Sequence, residues 1–368
     1  MEIIHLVMGK VNPDRMNGVN KVVYQLATRQ VEAGKKVQVW GFTHNLSTNY
    51  SGRNFSTSLF LASGQLSALD ANFLRALDSL DKTTTVFHLH GGWVPLFFKA
   101  AKALKKAGMK YVVTGHGAYN TIAMQRSKWK KYAYFQLCEK FLLKNAAAIH
   151  CVGASEITGL HAIFPTDRTI LIPYGMEFNG LPNTSKPASE QFVFGFVGRL
   201  DYHTKGLDLM LEGFARYFRK DSSAVLWLIG DGEGRSAVMA KIEKLGLTDN
   251  VILWGAKYGQ EKDTLIQQMN VFLHPSRNEG LPSAVLEAAA LGVPSIVTNA
   301  TNVGEYITSH QAGFMVPNDD ARELGRAMAH CAKINRSQLE KMGKNAAAMI
   351  ASQFNWPSVV EQFNQLYA

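Results

Sequence analysis

Asn270-Val-Phe-Leu-His274-Pro-Ser-Arg-Asn-Glu279-Gly-Leu-Pro-Ser-Ala-Val-Leu-Glu287-Ala288 opens as an apolar run, passes through a polar loop and closes on a helical pattern. The run Asn270 to His274 reads as a strand, and Gly280-Leu281-Pro282-Ser283 reads as the start of a helix. One acid, Glu279, then lies in the loop at the helix N-terminus, and Glu287 lies about two turns in. Unpaired N–H groups and the positive dipole end make such a terminus a natural seat for phosphate. Two carboxylates beside it suit a ligand that carries hydroxyls as well.

The same strand–loop–helix grammar extends outward in both directions. Strands are expected at 3–8, 36–42, 84–90, 110–115, 147–152 and 169–172, with helices at 18–33, 67–80 and 94–107. A polar stretch with Pro, Asn and Ser at 175–191 reads as a linker. A second series follows, with strands at 192–197, 224–229, 251–254, 271–274 and 295–298 and helices at 205–218, 235–245 and 282–291. The end, 321–367, reads as helix with a break near Asn355-Trp356-Pro357. Alternation of this kind implies parallel sheets covered on both faces. The fold class is α/β. Two Rossmann-like domains are expected, at 1–175 and 191–352, facing across a cleft, with a C-terminal helix at 353–368 returning to the first. A chain of 368 residues suits two domains.

The net charge of +10 is unevenly spread. Residues 1–185 carry 21 Lys+Arg against 10 Asp+Glu, and residues 186–368 carry 18 against 19. Between Lys99 and Lys144, eleven bases stand against one acid, Glu139. That field attracts polyanions or an anionic membrane surface. The three cysteines, Cys138, Cys151 and Cys331, show no paired spacing, which argues against a disulfide framework or a zinc site and for a reducing compartment. The start has no basic signal region, and no apolar run approaches spanning length. A cytoplasmic protein is expected.

Further motifs close other strands. Gly198-Arg199-Leu200-Asp201 leads after a short loop to Lys205-Gly206. A planar Arg fork and a Lys point charge six residues apart suit a diphosphate. Gly230-Asp231-Gly232-Glu233-Gly234 has the wrong spacing for a dinucleotide fingerprint and reads as a tight turn. In the first half, Gly9…Asn17-Gly18, His90-Gly91-Gly92-Trp93 and Thr114-Gly115-His116-Gly117 are glycine loops, with His116 expected to be exposed. His88 and His90 read as a strand-end pair rather than metal ligands. The run Arg126-Ser-Lys128-Trp129-Lys130-Lys131-Tyr132 interleaves bases and aromatics, as membrane-interface segments do.

Taken together, Gly198-Arg199…Lys205-Gly206, Gly230-Asp231-Gly232, Pro275-Ser276…Glu279-Gly280…Glu287-Ala288, Ile172-Pro-Tyr-Gly-Met176 and Phe354-Asn-Trp356 resemble the retaining glycosyltransferases of family 4, with the GT-B fold. The resemblance implies transfer of a hexosyl or N-acetylhexosaminyl group from a nucleotide diphosphate sugar, UDP- or GDP-linked, by front-face attack. It implies that Arg199 and Lys205 bind the donor diphosphate and that Glu279 holds sugar hydroxyls. Gly280 and Leu281 would contact sugar or phosphate through their amides, Glu287 the ribose, and Gly18, Gly198 and Gly230 would let the backbone approach the donor. His116 would lie by the donor sugar, a catalytic position together with Glu279, Arg199 and Lys205. No cofactor and no metal are expected, since no Asp-X-Asp element is present. The acceptor is expected to be lipid-linked, in assembly of a bacterial O-antigen, capsule or exopolysaccharide, with Arg126, Lys128, Trp129, Lys130 and Lys131 at the inner membrane face. A soluble acceptor is the alternative. A nucleic-acid-binding protein would leave the two acids and Arg199/Lys205 unexplained.

Overall fold

The computed structural model describes residues 1–12, 18–47, 52–62, 68–125, 127–178, 180, 191–219 and 223–368, and of residues 122, 125 and 128 the backbone alone. The chain divides into two compact units. The first is Met1–Gly175 with Trp356–Ala368, and the second is Met176–Asn355.

The first unit is built on seven parallel strands: β1 (Glu2–Met8), β2 (Lys36–Thr43), β3 (Ser56–Leu61), β4 (Thr85–His90), β5 (Lys110–Thr114), β6 (Ala148–Cys151) and β7 (Thr169–Leu171), in the order β3-β2-β1-β4-β5-β6-β7. β4 and β6 are buried along their whole length, as strands covered on both faces must be. On one face Trp40, Phe42, Phe60, Phe73 and Phe87 form a cluster of tilted and edge-to-face rings. The other face is closed by the helices Gly18–Glu32 and Trp356–Tyr367, which bring Val23, Leu26, Val359 and Phe363 onto Ile3, Val39 and Val112. Each such side chain, fully buried, contributes roughly 1.5–3 kcal/mol by transfer from water.

The second unit carries six parallel strands: β8 (Phe192–Val197), β9 (Ala224–Ile229), β10 (Val251–Gly255), β11 (Val271–His274), β12 (Ser295–Thr298) and β13 (Gly313–Val316), in the order β10-β9-β8-β11-β12-β13. The order reverses between β8 and β11. Ligands of doubly wound sheets bind at such a switch point, beyond the strand C-termini. The core packs Phe194, Phe196, Leu226, Leu273 and Ile296 against the helices Leu207–Phe218 and Ala321–Lys333.

β3, β13 and the helix Ala154–His161 have no counterpart in the sequence reading. β3 and β13 are edge strands; β3 begins Ser-Thr-Ser and β13 is four residues long, so neither shows a buried-strand pattern. The helix expected at 67–80 covers Ala71–Asp78, capped by Asp70, whose carboxylate accepts from Asn72 N. The long C-terminal helix resolves into Ala321–Lys333, Arg336–Gln353 and Trp356–Tyr367. Asn335 starts the middle one by accepting from Gln338 N at 2.9 Å. The basic segment is helical from Lys128, but a π-helical turn at Phe135–Glu139 interrupts it. Among the described residues, no helix is long and apolar enough to cross a membrane. The three cysteines are unpaired.

Candidate functional site

In the second unit the loops after β8, β9 and β11 are held together by their backbones. A Cβ on Gly230 (φ +145°) would come within 1.9 Å of Gly198 O, and one on Gly206 (φ +65°) within 2.0 Å of Pro275 O. Only glycine allows both the conformation and the approach. Leu200 N donates to Asp231 O at 3.0 Å, and Thr204 O accepts from Ser276 Oγ at 2.8 Å and from Arg277 N at 2.9 Å. Arg277 straps the set. Its guanidinium meets Asp208 in a bidentate pair at 2.7 and 2.8 Å and also reaches Asp319.

Glu279 occupies the centre of this set. Its Oε1 accepts from the Lys205 ammonium in an ion pair and from His274 Nε2 at 2.9 Å. Burial opposes its ionisation, but the His274 hydrogen bond and the Lys205 charge outweigh it and hold the carboxyl at about 2. Oε2 makes no hydrogen bond among the described residues. The N–H groups of Gly280 and Leu281 likewise meet no acceptor among the described residues, while Asn302 Nδ2 donates to the Glu279 and Gly280 carbonyls at 2.9 and 2.7 Å. The helix Ser283–Ala290 begins immediately after. A free carboxylate oxygen, two unpaired amides and a helix start thus lie within a few residues of each other. Arg199 stands at the end of β8 with its side chain 66% exposed, its nearest acid being Asp201 at 3.4 Å.

Glu287 lies on the buried side of that helix and pairs with Lys262 of the helix Gly259–Gln268 at 2.5 Å. Lys262 also stands 3.5 Å from Asp263. Burial works against the Lys262 charge, but Glu287 and Asp263 raise its pKa. The structure therefore gathers Gly198, Lys205, Gly230, Glu279, Gly280 and Leu281 around one set of loops. Sequence reasoning gave no role to His274, Arg277 or Lys262. The signal the sequence holds for Lys262 is its three-residue spacing from the apolar Leu265.

In the first unit Gly18 opens the helix Gly18–Glu32, and a Cβ there would meet nothing within 4 Å among the described residues. Asn17 and Arg126 lie outside the described residues, as does the side chain of Lys128. Trp129 is 82% exposed, Tyr132 60% and Leu137 75%. Lys130 is exposed. Lys131 is tied down, donating to Ala123 O and lying 5.5 Å from the Trp93 ring centre.

His116 is turned inward rather than exposed, and it belongs to a hydrogen-bond chain whose polarity follows from one group. Ile172 O can only accept, so His150 donates through Nε2 at 2.7 Å, and its Nδ1 accepts from Thr114 Oγ1 at 2.7 Å. Thr114 then accepts from His88 Nε2, and His88 Nδ1 accepts from Tyr367 OH at 2.7 Å. Gln30 Nε2 donates to that hydroxyl at 3.4 Å, leaving Gln30 Oε1 to accept from His5 Nε2 at 2.7 Å. His90 Nε2 donates to His5 Nδ1 at 2.8 Å, His116 Nε2 to His90 Nδ1 at 2.9 Å, and Tyr174 OH to His116 Nδ1. With burial keeping all five rings neutral, every imidazole in this hydrogen-bond chain donates once and accepts once. Burial pushes His5 and His150 down to about 4 and His116 to about 3, and carries His88 and His90 well below the ordinary value. His5, His88 and His90 cluster closely enough to suggest a metal. All six of their ring nitrogens are already engaged within the chain, so an ion there would have to break it.

Two buried acids hold the glycine loops above this network. Glu139 accepts from Trp93 N at 3.0 Å and from Tyr119 OH. Glu156 accepts from Gly117 N and from Val152 N at 3.0 Å. Tyr119 fills the space beneath Gly115, where a Cβ would come within 2.5 Å of its ring.

The family model described as Glycosyl transferases group 1 matches residues 181–349, and the one described as Glycosyltransferase Family 4 matches residues 16–178. Together they take in most of both units. The chain is 24% identical over 317 residues to the phosphatidylinositol N-acetylglucosaminyltransferase gpi3 subunit of Schizosaccharomyces pombe, covering 82% of this chain and 67% of that one. It is 27% identical over 183 residues to the capsular polysaccharide biosynthesis glycosyltransferase CapM of Staphylococcus aureus, covering 50% of this chain and 47% of CapM. The match thus spans about two thirds of the first relative and about half of the second. Among solved structures, Alr3699/HepE of Anabaena, in complex with UDP and glucose, superposes with a TM-score of 0.76 over 99% of this chain and 98% of its own, at 16% identity. The two parallel-sheet α/β units are those of the GT-B fold.

Proposed function

The chain belongs to glycosyltransferase family 4, and from that premise we propose that it moves a sugar from a nucleoside diphosphate sugar to an acceptor hydroxyl, with retention and without a bound metal. The observation that carries this is the free Oε2 of Glu279 beside the unpaired amides of Gly280 and Leu281. Oε2 takes a hydroxyl of the sugar. The amides and the helix start take phosphate oxygens, with Arg199 and Lys205 as the neutralising cations. Breaking the anomeric bond leaves negative charge on the diphosphate, and fixed donors aimed at that charge stabilise the transition state more than the ground state. Glu287, steadied by Lys262, takes the ribose. The UDP and glucose bound by the Anabaena protein support a nucleotide-sugar donor.

The acceptor in this reading is a lipid-linked glycan intermediate, as in assembly of a bacterial surface polysaccharide, met at the inner face of the plasma membrane. Trp129, Tyr132 and Leu137 expose apolar surface amid lysines, the composition of an interfacial anchor. The names of the two relatives, one a phosphatidylinositol glycosyltransferase and one a capsule enzyme, support it. A thermal-shift screen of UDP-, GDP- and ADP-sugars in the presence of a chelator tests the donor, because a ligand that binds only the folded state raises its stability. A shift with one donor class supports the proposal, and none with any class refutes it.

A further inference from the structure

We infer that His274 is a positioning residue that sets the carboxylate of Glu279, aiming Oε2 at the donor sugar; the inference rests on the proposed function for the identity of that ligand alone.

His274 ends β11, and its ring is buried. It lies nearly parallel to Phe272, with centroids 6.2 Å apart and an interplanar angle of 10°, and to Phe196 of β8 at 5.7 Å and 18°. Two flat neighbours fix the plane of the imidazole, and the strand fixes its origin, so the Nε2–H direction has almost no freedom. That direction ends 2.9 Å away on Glu279 Oε1. Lys205, on a flexible stem, also grips Oε1, but a point charge with three rotatable donors does not orient a carboxylate. The imidazole does. With Oε1 held by both, Oε2 is the oxygen left for a ligand.

The other ring nitrogen shows that this arrangement serves orientation rather than stability. Nδ1 is buried and has no hydrogen-bond partner among the described residues, an arrangement that costs stability. An aromatic hydrocarbon between Phe196 and Phe272 would fill the space without that cost. Burial also lowers the His274 pKa despite Glu279, so the ring is a neutral donor at working pH. The other titratable groups facing the pair come from the loop after β8, where Lys205 meets Glu279 directly and Asp201 lies beside Lys205.

The experiment compares the full chain with His274→Phe and His274→Gln. Phenylalanine keeps the stack and removes the donor, while glutamine restores an N–H at similar reach. His274→Phe should melt at or above the wild-type temperature. It should lose about tenfold or more in kcat/KM for the donor sugar, while binding the bare nucleoside diphosphate within about twofold. His274→Gln should recover most of that loss. Equal kcat/KM in wild type and His274→Phe, or an equal loss in both variants, would overturn the inference. A second readout needs no donor. The Glu279 carboxyl, followed by carbon-13 NMR, should titrate at higher pH in His274→Phe than in wild type, and an unmoved midpoint would overturn the inference as well. If no nucleotide sugar binds the wild type, the proposed function fails, and the NMR titration still decides the role of His274.

Discussion

The Lys262 ammonium lies 2.5 Å from Glu287 Oε2, joining the helix after β10 to the helix after β11. Both side chains are largely buried, so the pair is shielded from the screening that weakens surface ion pairs. Removing Lys262 leaves the Glu287 carboxylate without this counter-charge, and removing Glu287 leaves the ammonium only the longer contact to Asp263. Lys262→Ala is expected to weaken nucleoside diphosphate binding by about tenfold, with Lys262→Arg intermediate, because geometry as well as charge is lost. Calorimetric titration reads it directly.

Acidification should unfold the first unit before the second. For each buried histidine the unfolded state binds a proton below its ordinary value of 6.5 while the folded state does not, so stability falls with pH from about 6.5 down to the folded value. For His5 that window runs to about 4, and for His116 to about 3. At 1.36 kcal/mol per pKa unit, His5 alone costs about 3 kcal/mol by pH 4. Glu139 and Glu156, whose carboxyls burial raises, work in the opposite sense above pH 4.5. Five histidines against two acids leave a net loss. In the second unit His274 is lowered in the same way, against five such histidines in the first, and Glu279 contributes stability that is complete above 4.5 and is lost only as pH falls toward about 2. Hydrogen exchange at pH 5 should therefore show opening at β1, β4 and β6 while β8 and β11 stay protected. Equal protection in both units would contradict this.

Glu139 should tolerate Gln but not Ala. Its Oε1 serves Trp93 N and Tyr119 OH, and a glutamine carbonyl can accept from both. Alanine strands two buried donors and is expected to cost about 2–4 kcal/mol. Urea denaturation of the two variants measures the difference.

The sequence made the alternation of strand and helix legible in both units, because buried parallel strands are almost continuous apolar runs. The positions of Arg199, Lys205, Glu279 and Glu287 at a strand end, loop or helix turn were legible too, each from its own motif. The histidine network was not legible. His5, His90, His116 and His150 sit on or after β1, β4, β5 and β6, and they meet only because β1 pairs with β4 and β5 lies between β4 and β6. Local pattern says nothing of such neighbours. Lys262 and Glu287 are likewise joined across two separate β/α connections. The C-terminal breaks were half legible. Trp356-Pro357 marked one, whereas the other depends on a single capping asparagine, Asn335, inside a run of good helix formers.

Trp129 and Lys130 should act together on a membrane and not on the donor. Trp129→Ala with Lys130→Gln is expected to reduce co-sedimentation with phosphatidylglycerol vesicles about tenfold at low salt, since each basic residue near such a surface contributes about 1 kcal/mol and the indole adds apolar contact. Nucleotide binding should be unchanged. Unaltered sedimentation would place the acceptor in solution.

The central claim is that cations and a helix start in the second unit hold a nucleoside diphosphate sugar without a metal. Calorimetric titration of UDP-, GDP- and ADP-sugars into the chelator-treated protein, with Arg199→Ala/Lys205→Ala as the comparison, tests it most directly. Saturable heat with one donor class, abolished in the double variant, is the expected result. No heat with any donor, or the same heat in the double variant, would contradict it.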